Sequence, residues 1–458
     1  MTAKRRALAE RREIVGHSQE TLARLVGVEP TTVGRWERGE TSPQPWDRPK
    51  LANALTVSVE VLDTMLAEGQ TAEDCRSTCW APPPTVELTS DPEHDPVLAP
   101  PWNHRGTVES AVVLSGGERV KRREFVSLTG LALTAPAHQW LVHEPGPLVS
   151  GLSGRRVSVA LVDRLMAMIP ELRAMDDLAG GGTMLSLAQE EFGVVAKLLD
   201  QASYDEATGR KLHSALAELG QLAGWGAYDS GQPGLAQRYY IAALRAAHTI
   251  NDRPLGAHIL GFMAYQATRE ARPAEAVTLI KTALAGVRGR ETPALLAELY
   301  IKQADAFAIL RDGSGCTGAT SKARMQIEHL SPDEDLPYLY WVTSAEITAY
   351  AGQCFLQLGD TGQATMLLDD GIALFDESFT RNRQAYLTHL ADGLSRPGKQ
   401  RDLDNAAARA MEAIDIGESL HSTYSVNLLC DLYHQMKPHT KVPAVRDFVE
   451  RAEGFVTV

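Results

Sequence analysis

The sequence predicts an all-α protein in three parts: a small domain of short helices, a proline-rich linker, and a large array of helix pairs. Apolar residues recur with helical spacing through residues 3–68 and again from about 155 to the end, with almost no alternation of period two. Between these regions, seven prolines lie from Pro82 to Pro101 among polar residues. A chain of 458 residues also exceeds what one hydrophobic core supports, so roughly two to four domains are expected.

Five short helices are predicted near the amino end, at about 4–15, 18–26, 29–38, 48–55 and 58–67. Ser18 is a typical N-cap for the second helix, and Gly27 is a typical residue to end it. The third helix follows after only three residues, with Pro30 in its first turn, where the missing N–H loses no hydrogen bond. This spacing predicts a helix-turn-helix. Its expected core consists of Leu8, Leu22, Val26, Val28, Val33, Trp36, Leu51, Leu55 and Leu62.

The segment SQETLARLVGVEPTTVGRWERGETSP (18–43) resembles the Xre-type helix-turn-helix of phage repressors and bacterial regulators. The shared residues are Ser18-Gln19, Leu22-Ala23, Gly27-Val28, Trp36-Glu37 and Gly39. The resemblance implies that the third helix enters the major groove of double-stranded DNA, while flanking residues contact phosphates. The residues implied to contact DNA are Arg11, Gln19, Glu29, Thr31, Thr32, Arg35 and Arg38. A domain of this kind that makes only protein contacts is the alternative.

The charge distribution agrees with a DNA contact confined to the amino end. The whole chain has a net charge of −13, yet residues 1–38 hold eight basic and five acidic side chains. The remainder is strongly acidic and repels nucleic acid. No apolar run approaches the roughly 20 residues that span a bilayer, and five cysteines without regular spacing build no disulfide framework. We therefore expect a cytoplasmic protein without membrane partners.

Composition places four segments along the chain: a DNA-binding domain at 1–70, a linker at 71–118, a connecting helix at 119–150 and a repeat domain at 151–458. Arg122-Arg123-Glu124-Phe125 resembles a twin-arginine export signal, but its position far from the amino end argues for a connecting helix. A similar arginine-aromatic segment occurs between the two halves of the actinobacterial regulators that this chain resembles over most of its length.

Internal repeats appear in the carboxyl-terminal region. The segment GWGAYDSGQPGLAQRYYIAALRAA (224–247) looks like a tetratricopeptide unit, with small or aromatic residues where two antiparallel helices pack closely. Similar patterns start at Ala264 and Gly352, and weaker ones lie near 298–325 and 385–415. Because a single pair cannot bury its own apolar face, we expect a tetratricopeptide-like superhelix of stacked pairs, with spacings of about 40–48 residues.

The inner surface of this superhelix is the candidate ligand groove. Aligning the repeats places Glu218, His258, Glu298 and Glu346 in one inner row, and Trp225, Tyr265, Asp305 and Gln353 in another. Tyr228 and Arg269 are further candidates beside these rows. Aromatic and acidic groups side by side suit a ligand with a basic or amide group. An inner row that is polar simply because it faces water is the alternative.

Motifs of catalysis or metal binding are weak. Gly393-x4-Gly398-Lys399 begins like a phosphate-binding loop, but Gln400 replaces the hydroxyl residue and the preceding stretch has a helical pattern. Cys75 and Cys79 lack a second pair at zinc-finger spacing. We therefore expect no enzyme, cofactor or metal.

These observations predict a transcription regulator with an amino-terminal DNA-binding domain and a repeat domain that dimerises and senses a peptide, small molecule or protein. The arrangement resembles bacterial receptors in which a repeat domain binds a short peptide pheromone and changes the affinity for DNA. The alternative is an interaction scaffold whose DNA-binding domain serves only as an anchor.

Overall fold

The structure is a computed structural model, and it describes most of the chain. The described residues are 8–9, 11–12, 15, 17–38, 41, 43, 48–55, 62, 66, 95–116, 127–148, 150–151, 154–330, 335–376, 378–418, 420 and 422–456. Over these ranges the ordered elements are helices, and the only β-type pairing consists of two isolated bridges, Gly151–Tyr204 and Arg156–Ser203. The predicted all-α class is therefore confirmed. The chain divides into two compact units, Met1–Pro84 and Thr85–Val458.

The first unit contains the predicted helix-turn-helix, with helices α1 (Gln19–Val26), α2 (Pro30–Glu37) and α3 (Arg48–Ala54). The side chain of Ser18 accepts a hydrogen bond from the Thr21 N–H, and Gly27 ends α1 with a left-handed φ of 85°. The predicted core residues are buried, apart from Val28, which is half-buried. Most of the predicted first and fifth helices lie outside the described residues, although Leu8 and Leu62 pack in the same core.

The second unit is built largely from six consecutive helix pairs. Two helices, α4 (His104–Ser115) and α5 (Leu131–Val142), precede a longer hairpin, α6 (Val159–Ala179) and α7 (Gly181–Gln201). The six pairs are α8 (Glu206–Asp229) with α9 (Pro233–Thr249), α10 (Arg253–Arg269) with α11 (Pro273–Gly286), α12 (Pro293–Ile309) with α13 (Gly313–Ile327), α14 (Ser344–Leu358) with α15 (Thr361–Ala373), α16 (Thr380–Ser395) with α17 (Leu403–Gly417), and α18 (Thr423–Met436) with α19 (Pro443–Val456). The first helices of successive pairs pack against one another, so they form an inner layer.

The turns inside the first four pairs fix the repeat register. Each turn has one residue in the left-handed region, with φ between 58° and 90°, at Gly231, Ala271, Arg311 and Gly359. The N–H of the following residue bonds to the carbonyl five positions earlier, which is the geometry that ends a helix sharply. Successive turns are therefore 40, 40 and 48 residues apart, the same intervals that the sequence predicts between its repeats.

Small residues at the predicted positions allow the two helices of a pair to approach closely. A Cβ atom on Gly224 would lie 2.5 Å from the ring of Tyr240, and one on Gly352 would lie 2.8 Å from Leu368. Ala264 and Ala304, at the equivalent positions, are completely buried. The pattern that suggested the repeats therefore reflects close helix packing.

The array of pairs curves until its two ends meet. Arg381 on the fifth pair lies over the ring of Trp225 on the first pair, 4.9 Å from its centre. Ser422, which caps α18, donates to Asp229 at the end of α8 over 2.7 Å, and α16 packs against α6. The inner helices consequently surround a central space.

Residues 95–116 were predicted to belong to the linker, and this prediction is wrong, because they pack into the core of the second unit. Asp95 forms a buried ion pair of 2.9 Å with Arg238, and Arg245 donates to the carbonyls of Leu98 and Pro101. The prolines of this stretch therefore occur in a packed segment, stabilised by two buried arginines. Residues 71–94 and the arginine-aromatic segment 122–125 lie outside the described residues.

Candidate functional sites

The first unit is held together by a polar cluster around Glu37, the last residue of α2. The carboxylate forms an ion pair of 2.6 Å with Arg12, and the amide of Gln19, at the start of α1, donates to it over 2.6 Å. Both charged side chains of the ion pair are buried. A Cβ atom on Gly34 would lie 3.4 Å from Gln19 and 3.1 Å from Arg38. Both neighbours are the ends of flexible side chains, so a Cβ atom here would require only small shifts of Gln19 and Arg38.

The residues predicted to contact DNA fall into two groups. Thr31, Arg35 and Arg38 are exposed and follow one another at intervals of four and three residues, so they share one face of α2. Glu29 is exposed at the start of this helix, and Thr32 is half-buried. The exposed face of α2 is the candidate DNA-binding surface.

Two other predicted DNA contacts, Arg11 and Gln19, also contribute to the packing of the unit. The Nε atom of Arg11 donates to the carbonyl of Leu55 over 3.0 Å, and Arg11 is half-buried. Gln19 is exposed, but its amide nitrogen already binds Glu37. Both side chains therefore stabilise the arrangement of the helices.

A cavity of about 130 Å³ lies at the centre of the second unit. It is enclosed by the inner helices, by α6, and by the segment Tyr338–Trp341 that precedes α14. Its wall consists of Arg173, Asp176, Asp177, Gln221, Leu222, Trp225, His258, Phe262, Tyr265, Lys302, Tyr338, Tyr340, Trp341, Glu346, Tyr350, Gln353, Arg381, Asn382, Ala385, Tyr386 and Tyr424. The wall is thus rich in aromatic and charged side chains.

One side of the cavity is an aromatic surface. The ring of Trp225 lies 5.6 Å from Phe262 and 5.8 Å from Tyr265, measured between ring centres. Phe262 in turn lies 6.5 Å from Trp341. These are ordinary contact distances for aromatic pairs, so the rings form one continuous aromatic cluster in the wall.

Asp176 and Arg381 form an ion pair beside this surface. The Nη1 atom of Arg381 lies 2.7 Å from Asp176, and the indole N–H of Trp225 donates to the same carboxylate over 3.0 Å. Burial raises the pKa of Asp176 to about 7, even though Arg381 opposes the shift. Burial also raises the pKa of Asp177, which accepts a 2.5 Å hydrogen bond from Tyr340.

A second charged group lies next to the aromatic surface. Glu298 forms contacts of 2.8 Å with His258 and 2.6 Å with Lys302, and all three side chains are buried. Burial alone would raise the pKa of Glu298, but His258 and Lys302 together lower it. The ammonium group of Lys302 lies 3.9 Å from the centre of the Phe262 ring. This cation is therefore occupied by partners within the protein.

Glu346 differs from these acids because it forms no ion pair with any described residue. Its carboxylate accepts hydrogen bonds from the hydroxyl of Tyr386 over 2.6 Å and from the amide of Asn382 over 2.9 Å. Burial raises the pKa of Glu346. Arg381 and Lys302 also act on this carboxylate, but neither lies within ion-pair distance, so a cation bound in direct contact with Glu346 would stabilise its charge further.

Two buried polar atoms in the wall have no hydrogen-bond partner among the described residues. They are Nε2 of Gln353 and the hydroxyl of Tyr338, which belong to side chains 4% and 7% exposed. A buried donor without a partner costs about 1–3 kcal/mol, so such atoms are rare in folded proteins. Their position in the cavity wall indicates a place for a polar atom of a ligand or for water.

The predicted groove residues divide equally between the wall and the layer behind it. Trp225, His258, Tyr265, Glu346 and Gln353 line the cavity. The other five lie behind it and have partners within the protein in most cases: Glu218 pairs with Arg173 over 2.6 Å, Arg269 pairs with Asp305, and Glu298 pairs with Lys302. Tyr228 is buried against Trp225 and Tyr265. The two predicted rows do lie on the inner helices.

Sequence reasoning missed a third row that runs between the two predicted ones. Four residues after each member of the first row come Leu222, Phe262, Lys302 and Tyr350, and all four line the cavity. Because positions i, i+4 and i+7 share a helix face, the row was available from the same alignment. The segment Tyr338–Trp341 was also missed, and the longer interval of 48 residues was its signal. Nothing in the repeat pattern pointed to Asp176 or Arg381.

Two motifs considered in the sequence can be compared with the structure. In the described parts of the chain, no group of three or more His, Cys, Asp or Glu side chains is placed to hold a metal ion. Residues 393–399 lie at the end of α16 and in the turn after it, so the strand that precedes a phosphate-binding loop is absent there. Cys75 and Cys79 lie outside the described residues.

Comparison with known proteins identifies the first unit. Residues 5–65 match the helix-turn-helix domain family, so this part of the chain is a helix-turn-helix domain of the kind found in DNA-binding regulators. No curated protein matches the chain. Among the described helices, none is both long and apolar enough to cross a membrane.

Proposed function

We propose that this protein is a cytoplasmic transcription regulator that binds operator DNA through its first unit and an effector in the cavity of its second unit. The observation that carries the proposal is the central cavity with two buried donors that have no partner, on the same chain as a helix-turn-helix domain. Its aromatic and charged wall suits ligand binding. The proposal assigns binding, and no catalytic step, to this site.

The DNA-binding part of the proposal rests on α2. Thr31, Arg35 and Arg38 form an exposed polar and basic face on the second helix of the motif, which is the recognition helix of this class. Arginine is the usual bidentate partner of guanine in the major groove. We therefore assign base contacts to this face, and a mainly structural role to Gln19 and Arg11.

The repeat unit is proposed to be tetratricopeptide-like and to hold two chains together. A single helix-turn-helix unit covers one half-site, whereas two units held by a symmetric dimer match an inverted repeat. Apolar side chains of α6 and α7, including Val159, Leu178 and Val194, are exposed and favour self-association through these helices.

The proposed coupling follows from the closed arrangement of pairs. A ligand in the cavity contacts inner helices from several pairs at once, so it favours one curvature of the array over others. A ligand that binds one curvature more tightly shifts the population toward it. The change would alter the spacing of the two DNA-binding units in the dimer, and thus their fit to an operator.

The test is a DNA-binding assay with the full chain. An operator is first selected from random duplex DNA and then titrated by gel shift, with and without small-molecule and peptide fractions of the native cell. We expect at least one fraction to change the affinity of the wild-type chain, and Trp225→Ala with Tyr265→Ala to remove the response without weakening unliganded DNA binding. A change in DNA affinity that survives both substitutions would place the effector site elsewhere. If the chain instead binds specific partner proteins and no fraction changes its DNA affinity, the scaffold function is favoured.

A further inference from the structure

The charges around the cavity are unevenly paired. Three cations of the wall each have a carboxylate within 2.7 Å: Arg173 with Glu218, Lys302 with Glu298, and Arg381 with Asp176. After these pairs are formed, Glu346 has only neutral donors and Asp177 lies 4.0 Å from the already paired Arg381. The wall and the layer behind it therefore place five carboxylates against these three cations.

Two of the aromatic rings have one face covered by a cation of the protein. Lys302 lies over Phe262, and Arg381 lies over Trp225. A cage of free aromatic faces, which recognises a quaternary ammonium group, is therefore not offered here. A cation that enters the cavity gains more from a carboxylate, to which an N–H of a primary or secondary amine can donate a hydrogen bond.

Glu346 and Gln353 lie on the same face of α14, seven residues apart, and both reach the cavity. Tyr338 faces the same space from the preceding segment, where its ring lies 4.9 Å from His258. One carboxylate without a cation and two donors without an acceptor therefore share one cavity. Complementary chemistry requires a positive charge together with an acceptor oxygen.

The enclosure of the cavity limits the size of the occupant. Tyr340 donates to Asp177, so the segment before α14 is joined to α6 across the inner surface. An extended peptide could not run along the inner rows without breaking this contact. A cavity bordered by several inner helices and crossed by this contact instead suits one small molecule.

We propose that the cavity binds a small organic cation that has one primary or secondary amine, one acceptor oxygen and an apolar, preferably aromatic, body. The amine pairs with Glu346, the oxygen accepts from Gln353 Nε2 and Tyr338, and the body packs on Phe262 and Trp225. This assignment rests on the proposed effector-binding function and names the ligand class for that same site.

Phenylalaninamide is the probe, because it carries an amine, an amide oxygen and an aromatic ring. Three compounds serve for comparison: N-acetylphenylalaninamide lacks the charge, phenethylamine lacks the oxygen, and 3-phenylpropanoate lacks the amine and carries a carboxylate, which reverses the charge. Binding to the full chain is measured by calorimetry in the absence of DNA. We expect phenylalaninamide to bind at least about tenfold more tightly than each of the other three, which corresponds to about 1.4 kcal/mol per tenfold.

Two variants link the preference to the residues. Glu346→Gln should abolish the advantage of phenylalaninamide over its N-acetyl form. Gln353→Met should reduce its advantage over phenethylamine at least threefold, since Tyr338 remains as a second donor, and it should fold normally because Nε2 of Gln353 has no partner to lose among the described residues. Glu450→Gln, at an exposed site on α19, is the control that should keep both preferences. Circular dichroism and thermal melting confirm that each variant is folded.

The possible failures are distinguishable. If phenylalaninamide does not bind, or if the uncharged or anionic compound binds as tightly, the cation assignment is overturned. If Glu346→Gln keeps the preference for the charged compound, the amine lies elsewhere and the assignment is also overturned. In both cases a native fraction that changes DNA binding would leave the proposed regulatory function intact. If no fraction has an effect while phenylalaninamide binds as expected, the ligand class is supported and the regulatory role fails.

Discussion

Arg381 and Trp225 lie against each other across the centre of the second unit, although they belong to the fifth and the first helix pair. The guanidinium group is 4.9 Å from the centre of the indole ring, and both side chains bind the carboxylate of Asp176 on α6. This contact joins three parts of the chain at the cavity wall. Asp176 is consequently the natural place to test how burial and charge affect the unit.

We predict that Asp176 makes the protein less stable as the pH rises. Its pKa of about 7 in the folded chain exceeds the usual value of 3.8, so between these values the folded state holds a proton that the unfolded state releases. The contribution of Asp176 to the free energy of unfolding is therefore at its maximum below about pH 4. It decreases as the pH rises to about 7, by an amount on the order of 4 kcal/mol. Because asparagine does not ionise, Asp176→Asn should not lose stability in this way.

The measurement is urea unfolding of the wild type and Asp176→Asn between pH 4.5 and 7.5. Burial lowers the pKa values of His213 and His389 to about 4, so their contribution to stability increases as the pH rises. Both histidines are present in the two proteins, and the difference in unfolding free energy therefore reports Asp176 alone. The variant should gain stability relative to the wild type as the pH rises, and Asp369→Asn, at an exposed site on α15, should not. A constant difference would contradict the prediction.

The ion pair between Arg12 and Glu37 should dominate the stability of the first unit. Glu37→Ala leaves Arg12 buried without its carboxylate and also removes the partner of Gln19. Breaking a buried pair in this way costs about 3–5 kcal/mol. The midpoint of thermal unfolding of residues 17–38 in the full chain, measured by hydrogen exchange and mass spectrometry, should fall strongly, while Glu20→Ala, at an exposed site on α1, should have little effect.

Arg35 should carry sequence-specific DNA binding. Arg35→Ala removes a long basic side chain from the exposed face of α2, and we expect specific binding to weaken by about 1–3 kcal/mol. Arg446→Ala, on the exposed side of α19, is the matched control. An unchanged operator affinity for Arg35→Ala in a gel shift would mean that α2 is not the recognition helix.

Arg11 should behave differently from Arg35. Since its Nε atom donates to Leu55, Arg11→Ala should lower the melting temperature of the first unit and reduce specific and non-specific DNA binding together. The measurement is a melting curve beside gel shifts on operator and random DNA. A purely specific defect with unchanged stability would count against the structural role of Arg11.

The stable carboxyl-terminal fragment should begin before residue 95. Without residues 95–116, the buried side chain of Arg238 would lose Asp95, and Arg245 would lose two carbonyl acceptors. Limited proteolysis with mass spectrometry should therefore give cuts within 71–94 and protect 95–116. A chain starting at residue 117 should express poorly or melt at a lower temperature, and one that melts like the 85–458 chain would contradict this.

The second unit alone should self-associate if it holds two DNA-binding units together. Light scattering on residues 85–458 should report a dimer, and Leu178→Lys with Val194→Lys should shift it toward the monomer, because these substitutions add charge to exposed apolar positions of α6 and α7. Met366→Lys, an exposed apolar position on α15, is the control. A monomeric wild-type fragment would exclude dimerisation through this unit.

Sequence reasoning reached the inner rows because their positions follow from local rules. Each repeat has a left-handed turn, and the small residue seven positions before it marks close helix packing, so Gly224, Ala264, Ala304 and Gly352 could be aligned. The helix-turn-helix was accessible for the same reason, since Ser18 and Gly27 are local start and end signals.

The remaining features depend on contacts between distant parts of the chain. The curvature that brings Arg381 to Asp176 is the sum of small rotations between pairs, and no local pattern specifies that sum. The burial of residues 95–116 was hidden for a similar reason. Proline content indicates where helices end, but it does not reveal that Asp95 meets Arg238.

The meeting of the first and last pairs has a consequence for how the second unit unfolds. An open array of repeats contacts only its neighbours, so it can melt from either end in small steps. Here Ser422 binds Asp229, 193 residues away in the sequence, and Arg381 binds Asp176, 205 residues away. If one end of the array unfolds, the other end therefore loses contacts as well. Such long-range contacts slow folding, because a large loop must close before they form. They also make the helix pairs lose their structure together, in one cooperative transition.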